Sequence, residues 1–387
     1  MVPPPSINRL KDLPVHLIHQ KILPRLPFKY LNRCKCISKE MYSLISTDAE
    51  FAAEQSRSAD TSSSGLVYMT HSGLSFFSNL TLVGVPDPSL DFLNPNSRDI
   101  ILVSSTNGLL LLFGEFRGKM SLCVCNPATK DTVFVPNVVG KKYCRIEMGL
   151  VYDPCELPDR FTIVDPLLHK QRDGLMYKFD VFHSDTGKWT RSSQSIYIDT
   201  ISEAAKALCA KGLIYWCCGK YILWYDVKRD IAGSLSLPVI EGKAIKGVTD
   251  VGIYAGEITC CRAWSGGIEV WSLTRGSHWD RIHAASWDSM VDALDFCLGM
   301  QLRHKSLSDI FYKRRIIRPV GFDGHFVYIA VRVKYEDKTE KLFSWETKTG
   351  RVEKKGVITI IGSWRADQAF NYANSMARVP QIFNVTT

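Results

Sequence analysis

The chain lacks any apolar run near the roughly 20 residues that a membrane-spanning helix needs. Its longest stretches, such as Gly108 to Phe113 and Val357 to Ile361, are far shorter. No export signal is expected either, because Met1 to Ser6 is proline-rich and the charged Arg9, Lys11 and Asp12 follow before an apolar segment could build. No membrane partner is expected, and the expected location is the cytoplasm, the nucleus or both. Among the 12 cysteines there is no Cys-x-x-Cys pair; Cys34 and Cys36, like Cys123 and Cys125, alternate rather than keep zinc-site spacing. Without export, Cys217-Cys218 and Cys260-Cys261 inside apolar runs read as small buried hydrophobes. The sequons at Asn79 and Asn384 then have no glycosylation role. A phosphate loop, a GxSxG elbow and a dinucleotide fingerprint are all absent. His16 and His19 stand three apart with no further ligand beside them. No catalytic residue, cofactor or metal is therefore expected. The 48 Lys and Arg against 39 Asp and Glu give a net charge of +9, which suits an acidic partner but lacks the dense basic patch of a nucleic-acid binder.

What is present is a folded chain: 387 residues, 45% hydrophobic and 22% charged, long enough for a short module plus a large all-β domain. From Leu13 to Phe51 apolar residues recur at steps of three and four, which is helix periodicity. Asp12 is placed to cap a first helix with Pro14 in its first turn, and the Leu26-Pro27 step ends the next, since a residue before proline is pushed out of the helical region. Three short helices are expected over residues 8–53, then a polar, Ser-rich linker over 54–66.

Beyond the linker, short β-branched and aromatic runs alternate with Gly, Asn, Asp and Pro, the pattern of many strands joined by tight turns. One unit recurs, a strand end followed by a polar turn and another strand. It appears as Cys125 followed by NPATKDTV, Phe182 by HSDTGKW, Tyr225 by DVKRDIA, Trp271 by SLTRGSHW and Trp345 by ETKTGRV. The unit starts lie 57, 43, 46 and 74 residues apart, and the last interval holds a helix-like insertion around Met290 to Tyr312. Spacings near 40 to 50 residues fit four-stranded propeller blades. The fold expected is mainly β with a small N-terminal all-α module: a β-propeller-like domain over 67–375 and a tail over 376–387. The turns around Asn126-Pro127, Asp185 to Lys188 and Lys348 to Gly350 read as structural. So do Trp189, Trp216, Trp224, Trp264, Trp271 and Trp345 on strand faces. Lys313-Arg314-Arg315 with Arg318 reads as a weak nuclear-import signal or an ordinary basic surface.

The first module carries Leu13-Pro14, Leu17-Ile18, Ile22-Leu23, Arg25-Leu26-Pro27, Leu31, Cys36-Ile37-Ser38-Lys39, Leu44-Ile45 and Phe51 in order, and it resembles the F-box over essentially its whole length. It departs from the usual pattern at Met41, where a Trp is usual, and at Ser38, where a Cys is usual. The remainder resembles the F-box-associated domain of a large plant family over about residues 100 to 360. This likeness rests on Ser105 to Leu110, Cys125 to Lys130, Gly149 to Pro154 and Tyr177 to Trp189.

The resemblance implies a non-catalytic, substrate-recognition subunit of an SCF-type (Skp, cullin, F-box) ubiquitin ligase. It would bind a Skp-type adaptor, and through it cullin and RING subunits, and present an unidentified target protein for ubiquitination and degradation. The adaptor-binding residues implied are Leu13, Pro14, Leu17, Ile18, Ile22, Leu23, Leu26, Pro27, Leu31, Cys36, Ile37, Lys39, Met41, Leu44 and Ile45. A basic stretch of Lys29, Arg33, Lys35 and Lys39 would speed encounter with an acidic adaptor. The rival reading is a propeller lectin or small-ligand binder whose first helices are only structural.

Overall fold

The computed structural model describes residues 13–60, 65–70, 73–78, 90, 92–93, 100–116, 118–136, 147–154, 156–200, 206–238, 248–264, 266–274, 278–290, 317–332, 339–359 and 369–382. Asp12, both sequons, most of the insertion after Met290 and the cluster Lys313 to Arg315 lie outside these residues.

The module opens with α1 (Val15–Leu17), which continues as a π-helical turn over Ile18–Ile22 and a 3₁₀ turn over Leu23–Arg25. Leu26 is extended, at φ −73° and ψ 139°, so the chain leaves the helix just before Pro27 as the sequence predicts. Helix α2 covers Phe28–Cys34, α3 covers Lys39–Thr47 and α4 covers Ala49–Asp60. Ser38 Oγ caps α3 by accepting from the Met41 N–H at 3.1 Å. Asp48 caps α4 through the Phe51 N–H at 2.8 Å.

Two domain boundaries differ from the expectation. Helix α4 runs to Asp60, into the supposed linker, because Gln55 and Ser56 are polar yet buried, at 2% and 0% exposure, and bond to the β domain. Polar composition alone does not separate a linker from a helix face that meets backbone carbonyls. The supposed tail also differs: Met376, Ala377 and Val379 are buried.

Strands β1 (Gly65–Thr70) and β2 (Gly73–Ser78) come next. The first four-stranded blade is β3 (Ile101–Thr106), β4 (Leu109–Phe116), β5 (Lys119–Asn126) and β6 (Asp131–Val135). The second is β7 (Gly149–Tyr152), β8 (Phe161–Lys170), β9 (Leu175–His183) and β10 (Lys188–Ile198). The third is β11 (Ala207–Ala210), β12 (Leu213–Cys218), β13 (Tyr221–Asp226) and β14 (Ile231–Ser236). The fourth is β15 (Val248–Tyr254), β16 (Glu257–Trp264), β17 (Gly267–Thr274) and β18 (His278–Ser286). The fifth is β19 (Ile317–Phe322), β20 (Phe326–Val331), β21 (Thr339–Glu346) and β22 (Val352–Thr359). Strand β23 (Ala369–Tyr372) pairs antiparallel with β1, giving a three-stranded sheet β2-β1-β23 that closes the ring.

The inner strands β3, β7, β11, β15, β19 and β23 neighbour one another around the axis. Six apolar clusters fill the six spaces between adjacent sheets. Burial on both faces makes β4 read Leu109-Leu110-Leu111-Leu112 without alternation, whereas outer strands such as β10 alternate exposed and half-buried residues. Each recurring unit of the sequence is the hairpin between the third and fourth strands of one blade. The same backbone trick turns four of them: Lys130, Gly187, Asp230 and Gly350 all have positive φ.

The six tryptophans are structural as expected. Trp216 is fully buried and donates from Nε1 to the Glu147 carbonyl at 2.6 Å. Trp189 donates to the Pro136 carbonyl, and the Trp271 Nε1 to Glu269. Trp224 and Trp264 lie over Gly233 and Gly266, and Trp345 is in the core. Arg318 is not a free basic side chain, since its guanidinium meets Glu340 at 2.6 Å.

Candidate functional site

The helical module sits on the propeller face formed by the turns between first and second strands. Ser56 Oγ bonds to the carbonyl of Asn107 in one such turn, and Arg57 overhangs the mouth of the central channel. These turns are tight: Asn107-Gly108, Lys211-Gly212 and Ala255-Gly256 all have paired positive φ. Toward the opposite rim point the described strand ends between which the chain passes from blade to blade: Val135 and Gly149, Ile198 and Ala207, Ser236 and Val248, Ser286 and Ile317, and Thr359 and Ala369.

The module divides its apolar residues between two directions. Leu23, Leu31, Ile45, Phe28, Phe51 and Ala52 are buried together with Met376 of the β domain, and Ile18, Leu26, Cys34, Met41, Leu44 and Ala128 pack around them. Outward stand Val15 (60% exposed), Leu13, Leu17, Ile22, Tyr30, Ile37 (70%) and Tyr42 (58%). Seven large apolar side chains exposed within 30 residues of chain are an unusual number for a small module. Pro14, Pro27, Cys36 and Lys39 are exposed beside them.

Of the residues expected from the sequence, Leu23, Leu31 and Ile45 thus hold the module together from inside, and Met41 packs half-buried against them. Val15, Tyr30 and Tyr42 join the outward surface without having been singled out. Helical periodicity finds apolar positions but does not say which side of a module with two apolar faces is already covered. In the basic stretch, Arg33 and Lys39 are exposed, and partial burial pulls the Lys35 ammonium below its usual range.

Two concavities accompany this surface. One, of about 280 Å³, opens at the channel mouth among Asn107, Asp323, Asn371 and Tyr372. Asn371, Asn107 and Asp323 are already engaged by the fold. Asn371 Nδ2 donates to the carbonyls of Ile253 and Phe322, Asn107 Nδ2 to that of Tyr152, and Asp323 accepts from Tyr328 OH at 2.7 Å. They knit inner strands together. The other, of about 720 Å³, is a cleft between the first helices and the β7–β8 loop, with His16, His19, Lys21 and Asp159 on its walls. Among the described residues no group of His, Cys, Asp and Glu could hold a metal ion, and no helix is long and apolar enough to cross a membrane. The nine described cysteines are free thiols; burial pushes Cys261 well up, away from the reactive thiolate form.

The architecture is that of a propeller protein with a helical module seated on one face. A family profile described as the F-box associated beta propeller domain matches residues 75–312. The chain belongs to this family. An F-box protein of Arabidopsis thaliana is 31% identical over an alignment of 238 residues that covers 56% of this chain and 62% of that protein. The chain therefore spans less than two thirds of that relative. Two solved structures are similar at a distance. A lectin mutant of Aleuria aurantia bound to alpha-methyl-L-fucoside has 11% identity and a TM-score of 0.35, over 68% of this chain and 79% of its own. A putative TolB of Agrobacterium tumefaciens has 13% identity and a TM-score of 0.39, over 81% and 98%. Likenesses at this level carry no argument about ligands.

Proposed function

We propose that the chain is the substrate-recognition subunit of an SCF-type ubiquitin ligase. Its helical module is the F-box and docks on a Skp-type adaptor, which brings cullin and RING subunits. The propeller holds the target protein. The observation that carries this reading is the exposure of the apolar Leu13, Val15, Leu17, Ile22, Ile37 and Tyr42 on a module whose other apolar residues are already packed against one another and against Met376 and Ala128 of the β domain. A second polypeptide is the natural cover for such a surface, in the helix-in-groove manner. The chain itself does no chemistry in this reading; it raises the effective concentration of target near a charged conjugating enzyme. The target is received on the rim of the five blade-to-blade connections, because long connections vary more freely than the tight turns of the module-bearing face. The compartment is cytoplasmic, nuclear or both.

The test is capture of a purified Skp-type adaptor by the full chain. Leu17→Asp combined with Ile37→Asp should weaken capture at least tenfold while the melting temperature stays put. Undiminished capture by that variant, or none by the natural chain, removes the assignment.

A further inference from the structure

Residues 373–379 lie between the two parts of the molecule and bond to both. On the propeller side, the Asn126 amide, itself 0% exposed, donates to the carbonyls of Ser375 at 3.0 Å and Ala377 at 2.6 Å. Ser375 Oγ donates to the Asn107 carbonyl at 2.9 Å, and Ala377 and Val379 enter the apolar cluster between the first two blades. On the helical side, the Met376 side chain, 5% exposed, enters the module's own core beside Leu31 and Ile45. The Met376 N–H donates to Gln55 Oε1 of α4 at 2.6 Å, and Arg378 Nη2 donates to the Ser46 carbonyl of α3 at 3.0 Å. The module is thus held by this segment in addition to its covalent link and to the direct contacts of Ser56 with Asn107 and of Ala128 with the module core. Helix α4 ends at Asp60 and β1 starts at Gly65, which ties one side covalently; residues 373–379 hold the other. The covalent link and the Ser56 contact both lie on α4, so residues 373–379, which reach α3 and the module core as well, add the restraint on the other side of the module.

We propose that residues 373–379 are a clamp that fixes the tilt of the helical module on the propeller, with Gln55, Asn126 and Met376 as its positioning residues. The inference rests on the ligase reading for its purpose, since a fixed tilt sets the separation between a target on the far rim and the machinery held by the module. The clamp itself is a property of the chain alone and can be tested without any partner.

The full chain carries two labels introduced through non-canonical amino acids at Glu40 and Lys348, both exposed and outside the clamp. The distance between them should be narrowly distributed in the natural sequence. Gln55→Leu, which removes the acceptor, and Met376→Asp, which expels the side chain from the module core, should each broaden it or add a second population. Met376→Leu, which conserves volume, should restore the narrow form. Adaptor capture by the Gln55→Leu chain should stay within about twofold, because the outward residues are untouched. An unchanged distribution in Gln55→Leu and Met376→Asp overturns the clamp. If Met376→Asp fails to fold, Gln55→Leu with Asn126→Ala decides the matter on the same readout. Failure of the natural chain to capture the adaptor overturns the ligase reading and leaves the distance result standing.

Discussion

Lys206 Nζ lies 2.9 Å from Asp250 Oδ1, with the two side chains only 10% and 17% exposed, and the same ammonium donates to the Ala369 carbonyl at 3.0 Å. Three inner-strand segments, at the heads of β11, β15 and β23, meet on one charge. Removing the cation leaves a carboxylate in a place from which water is largely excluded. Lys206→Met is therefore expected to cost about 3–5 kcal/mol, the usual penalty for orphaning a buried charge. Lys206→Met with Asp250→Leu should recover much of it. Urea unfolding of the single and double variants checks both, and a loss under about 1 kcal/mol for the single variant would mean that Asp250 rehydrates freely.

Leu31 and Leu17 belong to the same module and face opposite ways. Leu31 is 0% exposed and Leu17 37%. Leu31→Ala should destabilise by about 2–5 kcal/mol, as buried leucines do. Leu17→Ala should leave stability within about 0.5 kcal/mol, like other surface changes, while weakening adaptor capture. Thermal melts of both variants, paired with capture, separate the two roles; equal destabilisation would contradict the division of the module's faces.

Gly108 and Gly118 both have positive φ, +80° and +77°, yet their surroundings differ. A Cβ on Gly108 would stand 2.0 Å from Ser375 Oγ, whereas one on Gly118 would meet nothing within 4 Å. Gly118→Ala should cost about 1 kcal/mol through backbone strain alone. Gly108→Ala should cost distinctly more, and should also loosen the segment that Ser375 anchors. Chemical denaturation of the two variants gives the comparison.

Acid should act in two stages. Burial lowers His183 and His283 below the ordinary 6.5; at His183 the Arg160 guanidinium adds to this and the Asp185 carboxylate opposes it. The unfolded chain then takes up protons at these sites before the folded one does. Their contribution is fully present above pH 6.5 and is lost as pH falls from there through the lowered folded values. At lower pH, Asp230, held down by hydrogen bonds from Ser192 and Tyr225, and Glu353, held down by Lys355, lose their contribution as pH drops through their own depressed values. Melting temperature followed from pH 8 downward should show the first decline near 6.5, and His183→Gln with His283→Gln should flatten that part of the curve only.

The blades were legible because one hairpin repeats. In each four-stranded blade the stretch from third to fourth strand is polar, and in four of them a left-handed position is described, so five units stand out from Cys125 to Trp345. The sixth sheet left no such mark. Its strands come from residues 65–78 and 369–372, too far apart along the chain to form a repeat. Asn126 was rightly read as structural, but its larger task, holding residues 375 and 377, depends on a contact across some 250 positions that no local pattern encodes. Of the module, three helices were expected and the structure adds a further one over Ala49–Asp60, whereas the break at Leu26 followed from proline. Which leucines look outward did not, since that depends on where Met376 comes to rest.

The pairing of β1 with β23 has a consequence for synthesis. Gly65 finds its partner in Tyr372, which leaves the ribosome roughly 300 residues later. At about 5–20 residues per second that is a wait of roughly 15–60 s. Throughout it β1 has no inner neighbour, so its edge is open to other strands. A chaperone shielding residues 65–70 would be needed most in that interval, and a stall or premature stop anywhere before Ala369 would leave an open crescent with sticky ends, fit for disposal by the very pathway the finished protein is proposed to serve.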